Sequence, residues 1–179
     1  RFMRRTANRQ LPAGRIGVVP ALIFSVLLGV ISVPLLVWGV NSITGILGLL
    51  SLLSYALVYT PLKARTHWAM IVGAIPGAIP PLMGWTAATN TVGMPALVVF
   101  SILFFWQLPH FIAIALFRKD EYAAAGLQSL PIAKGDDMAR FHAAVYALIL
   151  VPVSLLLGFS QTAGAIYLVS AMVLGAIFF

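Results

Sequence analysis

The sequence predicts an all-α fold, a polytopic bundle of transmembrane helices, and three observations carry that expectation. Of 179 residues, 61% are hydrophobic and only 8% charged, with a mean hydropathy of +1.04. A soluble domain has about a quarter of its residues charged, so an ordinary water-soluble domain is excluded. Charges are also absent from three long blocks, Ile16 to Leu62, Thr66 to Phe117 and Phe141 to Phe179. A bilayer core takes about 20 helical residues to cross, so each block suits two crossings. Turn residues punctuate each block near its middle: Gly39-Val40-Asn41-Ser42, Asn90-Thr91-Val92-Gly93-Met94-Pro95 and Ser160-Gln161-Thr162. The third observation is sidedness, because six spans put all eleven Lys and Arg on one side. The positive-inside rule assigns that side to the cytoplasm, or to the matrix of a mitochondrion.

The spans are expected near residues 16–37, 42–60, 68–88, 95–117, 141–159 and 163–179 of a single membrane domain. The basic excess, eleven Lys and Arg against four acids, is not gathered on a polar domain with interleaved aromatics, which argues against nucleic acid. Cysteine is absent, which removes disulfides, thiolate metal sites and a cysteine nucleophile. The chain starts at Arg1 and stops at Phe179 within an apolar run, so both ends are expected to be cuts. No signal peptide is read, since the opening residues are basic and polar and the apolar segment after them is long enough to span.

Before the first span stand Arg1, Arg4, Arg5, Arg9 and Arg15. Such cations anchor a helix to anionic headgroups, or clamp phosphate through paired guanidinium donors. The loop after the second span, TPLKART, carries Lys63 and Arg65, and is followed by His67 and Trp68, which suit the membrane interface better than a ligand role. The third span repeats Gly73-Ala74-Ile75-Pro76 as Gly77-Ala78-Ile79-Pro80 and adds Pro81. Three prolines free the carbonyls of Val72, Pro76 and Gly77, so an interrupted, kinked helix is expected, with neighbouring helices or a cavity meeting the freed groups. Gly73 and Gly77 permit another helix to approach closely.

The fourth span and its exit, Trp106 to Gly126, hold most of the chemistry. Gln107, His110, Ile114 and Arg118 recur at the helical period and are expected to form one stripe, the wall of a pocket open to the charged side. At ~1.5 Å per residue, His110 lies about 12 Å below Arg118. An ionisable residue inside a span is a functional candidate, and His110 could move a proton, contact a porphyrin iron or hydrogen-bond a substrate. Asp120 and Glu121 are hard oxygen ligands of the kind magnesium takes alongside substrate phosphates, although a complete site needs more acids than this loop offers. Asp136 and Asp137 are expected only to cap the helix that follows Gly135.

Taken together, RRTANRQLPAGR, NSITGILGLL with YTPLK, GAIPPLMGWTAAT, WQLPHF and RKDEYAAAGLQSLP resemble the protohaem IX farnesyltransferases (haem O synthases) of the UbiA-type prenyltransferase superfamily. The resemblance covers nearly the whole chain in order. It implies a nine-span bundle around a central cavity, of which six spans are present here. It implies a prenyl transfer in which farnesyl diphosphate ionises with Mg2+ and its farnesyl group joins a vinyl group of haem b, giving haem O for haem A and the terminal oxidases. Haem b is then a substrate rather than a cofactor, and membrane lipid, haem A synthase and oxidase assembly factors are the further partners implied. Carried onto this chain, Asp120 would hold magnesium-diphosphate. Arg118, Lys119, Lys63 and Arg65, with Arg5 and Arg9, would bind the diphosphate, and Tyr122 would donate a hydrogen bond. His110, Trp106, Gln107 and Phe111 would lie nearer the haem or the prenyl chain, and the Pro76–Pro81 kink would shape the pocket. The family's first aspartate motif would precede the RRT segment, so the 179-residue chain by itself is expected to be inactive.

Two alternatives stand beside this reading. A related prenyltransferase would act on a quinone precursor or another aromatic acceptor. A transporter fragment would show matching broken helices in two halves, and the sequence has one strong interruption, at Pro76–Pro81.

Overall fold

The computed structural model describes residues 6–159 and 162–178, with Phe178 described by its backbone alone. Arg1, Arg4 and Arg5, and the turn residues Ser160 and Gln161, lie outside the described residues. The long helices are α1 (Val18–Gly39), α2 (Ser42–Leu62), α3 (Ala69–Thr89) and α4 (Met94–Phe117). Two short helices, α5 (Lys119–Ala124) and α6 (Leu130–Lys134), fill the loop before α7 (Asp136–Phe159) and α8 (Ala165–Phe178). Among the described residues five helices, α1 to α4 and α7, are long and apolar enough to cross a bilayer, and α8 has a shorter apolar stretch, Ala165–Ile177. The chain is an integral membrane protein with an all-helical fold.

Each long helix lies against the next: α1 on α2, α2 on α3, α3 on α4, α4 on α7 and α7 on α8, the α4–α7 contact being the most extensive. The core sits in α3 and α4, where Ala74, Ala78, Thr86, Leu108 and Ile112 are buried. No residue of α1 is buried.

At the end without Lys or Arg, hydrogen bonds fix the first three helices to one another. The Asn41 side chain caps α2 by accepting from the Thr44 N–H at 2.9 Å. Its Nδ2 donates to the Thr86 carbonyl in α3 at 2.7 Å. The hydroxyls of Thr44 and Thr86, 2% and 0% exposed, meet at 2.8 Å. Gly45 lets α1 approach α2 closely, because a Cβ there would stand 3.0 Å from the backbone nitrogen of Val37 in α1. Asn90, at φ 53°, ends α3 in the left-handed region that a short polar side chain tolerates.

The helix α3 corrects the expected interruption, since it is continuous from Ala69 to Thr89 through Pro76, Pro80 and Pro81. A neighbour meets one of the freed carbonyls, as Ser51 of α2 donates its hydroxyl to the Pro76 oxygen at 3.3 Å. Membrane helices tolerate interior proline when an adjacent side chain re-satisfies the backbone in this way. Gly73 and Gly77 admit two different neighbours rather than one. A Cβ on Gly73 would stand 2.6 Å from the Tyr59 ring of α2, and a Cβ on Gly77 would collide with the Gln107 amide of α4.

Two further features set up the basic end. Within α2 the residues Ser54–Tyr59 form a π-helical segment, a widened turn of a kind common at functional sites. Thr60 closes it by donating its hydroxyl to the Tyr55 carbonyl at 2.9 Å. Helix α7 begins at Asp136, ahead of the first apolar residues, with Asp136 and Asp137 in its first turn where acids favour the helix dipole. Ile112, Leu130 and Ala139 form a buried cluster flanked by Met70 and Tyr146, which fastens α6 onto α4 and α7.

Candidate active site at the basic end

A cavity of about 270 Å³ opens between α2, α3, α4 and the α5–α6 loop. Its polar wall comprises Tyr59 and Lys63 from α2 and its exit, His67 before α3, Tyr122 of α5, and Gln128 and Ser129 before α6. Phe111, Ile112, Ile114 and Ala115 of α4 supply the apolar wall. The Lys63 ammonium stands 5.9 Å from the centre of the Tyr59 ring, a cation–π distance. The Gln128 N–H donates to the Lys63 carbonyl at 3.3 Å, and the Leu127 N–H to the Tyr122 carbonyl at 3.0 Å. The first bond joins the two polar loops and the second folds the α5–α6 loop on itself, and Lys63 and Tyr122 line one cavity. The Ser129 hydroxyl oxygen is buried in this wall with no hydrogen-bond partner among the described residues.

The neighbouring cations are held differently. Arg118 lies 3.3 Å from both Glu121 carboxylate oxygens, and Lys119 lies 2.6 Å from Asp136. Both pairs are partly exposed, and they fix the start of α5 and its attachment to α7 more than they neutralise a ligand. Asp120 stands between them, exposed, and its carboxylate has no partner among the described residues. Arg65 and Arg9 are exposed and do not line this cavity, and Arg5 lies outside the described residues. No group of three His, Asp or Glu that could hold a metal ion occurs among the described residues. Asp120 offers an unpaired carboxylate there, a hard oxygen donor of the kind magnesium takes.

The expected stripe on α4 divides between three environments. Gln107 is 7% exposed, donates its amide to the Leu103 carbonyl at 3.1 Å and lies against Gly77, so it joins α4 to α3. Phe111 and Ile114 line the cavity with Lys63 and Tyr122. Trp106 and His110 stack with ring centres 4.9 Å apart and line a separate groove of about 380 Å³, walled by Ala143, Ala144 and Ala147 of α7. A further cavity of about 260 Å³ shares His67, Met70 and Leu130 with the first and continues to Lys134, His142 and Tyr146. His67 is held below its ordinary range by burial, and then by its neighbours Lys134 and His142.

A family model for the UbiA prenyltransferases matches residues 1–179. The chain belongs to the UbiA prenyltransferase family. Protoheme IX farnesyltransferase of Myxococcus xanthus (strain DK1622) is 53% identical over 177 residues, 99% of this chain and 60% of that protein. The protein of that name from Sorangium cellulosum (strain So ce56) is 50% identical over 99% of this chain and 64% of its own. The one from Anaeromyxobacter sp. (strain Fw109-5) is 46% identical over 97% of this chain and 58% of its own. The chain thus spans about three fifths of the curated relatives it matches. No solved structure matches it.

Within this UbiA chain the structure brings Lys63, Phe111 and Tyr122 together, and it adds Tyr59, His67, Gln128 and Ser129, which sequence reasoning did not select. Tyr59 sits in the YTPLK string, but its aim depends on the π-helical turn. His67 reads in sequence as an interfacial residue, and Gln128 and Ser129 as ordinary loop residues. Only the α5–α6 fold-back gives them a shared wall.

Proposed function

We propose that the chain carries part of the active site of a protohaem IX farnesyltransferase, transferring the farnesyl group of farnesyl diphosphate to a vinyl group of haem b. The observation that supports this best is the cavity joining Lys63 and Tyr122 over the apolar Phe111 wall, in a UbiA chain whose relatives bear that name. A cavity basic at its mouth and apolar below suits an amphiphilic diphosphate ester. The C1–O bond of the ester breaks and its electron pair leaves with the diphosphate. The C1 cation is taken by the vinyl terminus, water adds to the resulting carbocation, and a proton is lost, giving the hydroxyethylfarnesyl group of haem O. Charge grows on the leaving diphosphate, so a fixed ammonium and phenol pointed at it lower the barrier. Lys63 serves as that ammonium and Tyr122 as the hydroxyl donor, with Arg65 and Arg118 within the adjoining loops. Asp120 would help hold a magnesium ion, which would supply charge neutralisation to the leaving diphosphate.

Catalysis at this end puts the charged loops on the cytoplasmic or matrix side of a bacterial plasma membrane or mitochondrial inner membrane. The test uses membranes bearing the full-length protein, supplied with haem b, farnesyl diphosphate and magnesium, and analysed for haem O. Native protein should form it, and Asp120→Ala should lose about 10²-fold or more of the rate. Haem O formation unchanged by the substitution would remove Asp120 from the site, and prenylation of a quinone precursor instead of haem would overturn the acceptor.

A further inference from the structure

We propose that the second cavity of the basic end, formed by His67, Lys134, His142 and Tyr146, seats the carboxylate groups of the prenyl acceptor. With haem b as acceptor, which rests on the reading above, these are its two propionates. The cavity measures about 260 Å³ and gathers three basic side chains and a phenol. Lys134 is its standing cation and has no ion pair among the described residues, since Asp136 pairs with Lys119 at 2.6 Å. An anion placed between Lys134 and the two imidazoles pairs with the ammonium and favours the protonated form of each ring.

The rest of the lining narrows the class of anion. Trp68, Met70 and Met138 make the remaining wall apolar, which suits an acidic group on a flat hydrophobic body better than a free hydrated ion. His142 is oriented for such a ligand. Its Nδ1 lies 2.8 Å from the Met138 carbonyl of the preceding turn. A carbonyl oxygen only accepts, so Nδ1 carries the hydrogen, and Nε2 donates to a carboxylate once the ring binds a second proton together with the anion.

Position supplies the link to catalysis. His67, Met70 and Leu130 line both cavities, so a single layer of side chains separates an acid held in the second from a diphosphate held in the first. Donor and acceptor would therefore be fixed side by side through separate anionic handles, which is how an enzyme converts a two-substrate encounter into an oriented one.

The test measures equilibrium binding of zinc protoporphyrin IX and of its dimethyl ester to the full-length protein in phosphatidylcholine vesicles. The free acid should bind native protein about tenfold or more tightly than the ester, a charge-assisted contact that the ester cannot make. Lys134→Gln and His142→Gln should shrink that ratio towards one, whereas Arg15→Gln at the same membrane face should leave it intact. Farnesyl thiodiphosphate binding should be unchanged by Lys134→Gln. The native acid-to-ester ratio needs no substitution, so a variant that fails to fold does not decide the matter. Equal binding of acid and ester overturns the inference and leaves the farnesyl-transfer reading intact. Loss of farnesyl thiodiphosphate binding in Lys134→Gln also overturns it, making the cavity part of the donor site. So does a Lys134 effect confined to vesicles containing phosphatidylglycerol, which would make it a headgroup site. If neither porphyrin binds, the haem reading fails and carries the inference with it.

Discussion

The two ends of the bundle use polar residues for opposite purposes. At the end without Lys or Arg, Asn41, Thr44 and Thr86 satisfy one another over 2.7–2.9 Å, and the two threonines are buried. The exception is the Trp85 indole N–H, buried near Gly93 without a hydrogen-bond partner among the described residues, and it lines none of the three cavities. Among the described residues at the basic end, the Ser129 hydroxyl is buried without a partner, Asp120 is exposed and unpaired, and Lys63 lies over the face of Tyr59. Satisfied polar groups tie helices together, while unsatisfied ones beside a cavity mark where something else completes the set. The same chain thus separates a rigid end from a receptive one along the length of α3.

This contrast can be broken or sharpened by substitutions at each end. The largest effect is expected from Lys63→Met, which should lower the haem O rate of the full-length protein about 10²-fold while leaving the unfolding midpoint in place. A loss of rate matched by a loss of stability would make Lys63 structural. At the opposite end Gly45→Ala should reverse the pattern, costing about 2–3 kcal/mol in denaturant unfolding, because its Cβ meets the backbone of Val37, which cannot step aside. The surviving folded protein should keep its turnover. Thr86→Val should follow the same rule more weakly, at about 1–2 kcal/mol, by leaving the buried Thr44 hydroxyl unpaired. An activity defect larger than the stability defect in either variant would show that the rigid end is not merely structural.

The smallest effect is a pH dependence at the basic end. The His67 pKa in the folded protein lies below its ordinary 6.5, so the unfolded chain takes up more protons in the window just beneath that value. Stability should therefore fall as the pH drops through the window, and His67→Gln should flatten the slope. A bound anion beside the ring favours the imidazolium, so farnesyl thiodiphosphate should reduce the same slope in native protein. An unaltered slope on binding would take His67 out of the wall that the ligand touches.

Much of this was legible in the residues. Uncharged blocks and one-sided Lys and Arg follow from the cost of burying charge in hydrocarbon, which acts residue by residue, so composition and order suffice to reveal a membrane helical bundle. The ordered RRT, YTPLK, WQLPHF and RKDEY strings carried the family in the same local way. The breaks went astray where the answer lay in a neighbour. Three prolines argue for an interrupted α3, but Ser51 on α2 supplies the hydrogen bond that keeps the helix whole. Helical periodicity puts Gln107, His110 and Ile114 on one stripe, but periodicity gives angles around one axis and says nothing of which helix occupies each angle. With α3 at Gly77 and α7 at its alanine wall, the stripe divides into a buried strut, a membrane groove and a cavity lining.

What the sequence determined by itself, then, is the solvent each segment accepts, the side on which charge resides and the chemical kinds available at the basic end. Tertiary structure decided which of those groups share a space. Lys63 and Tyr122 are 59 positions apart in the chain and meet because a loop carbonyl accepts the Gln128 N–H and the Ile112–Leu130–Ala139 cluster holds α6 down. Contacts between distant segments depend on the shapes of several helices at once, and no local pattern encodes them.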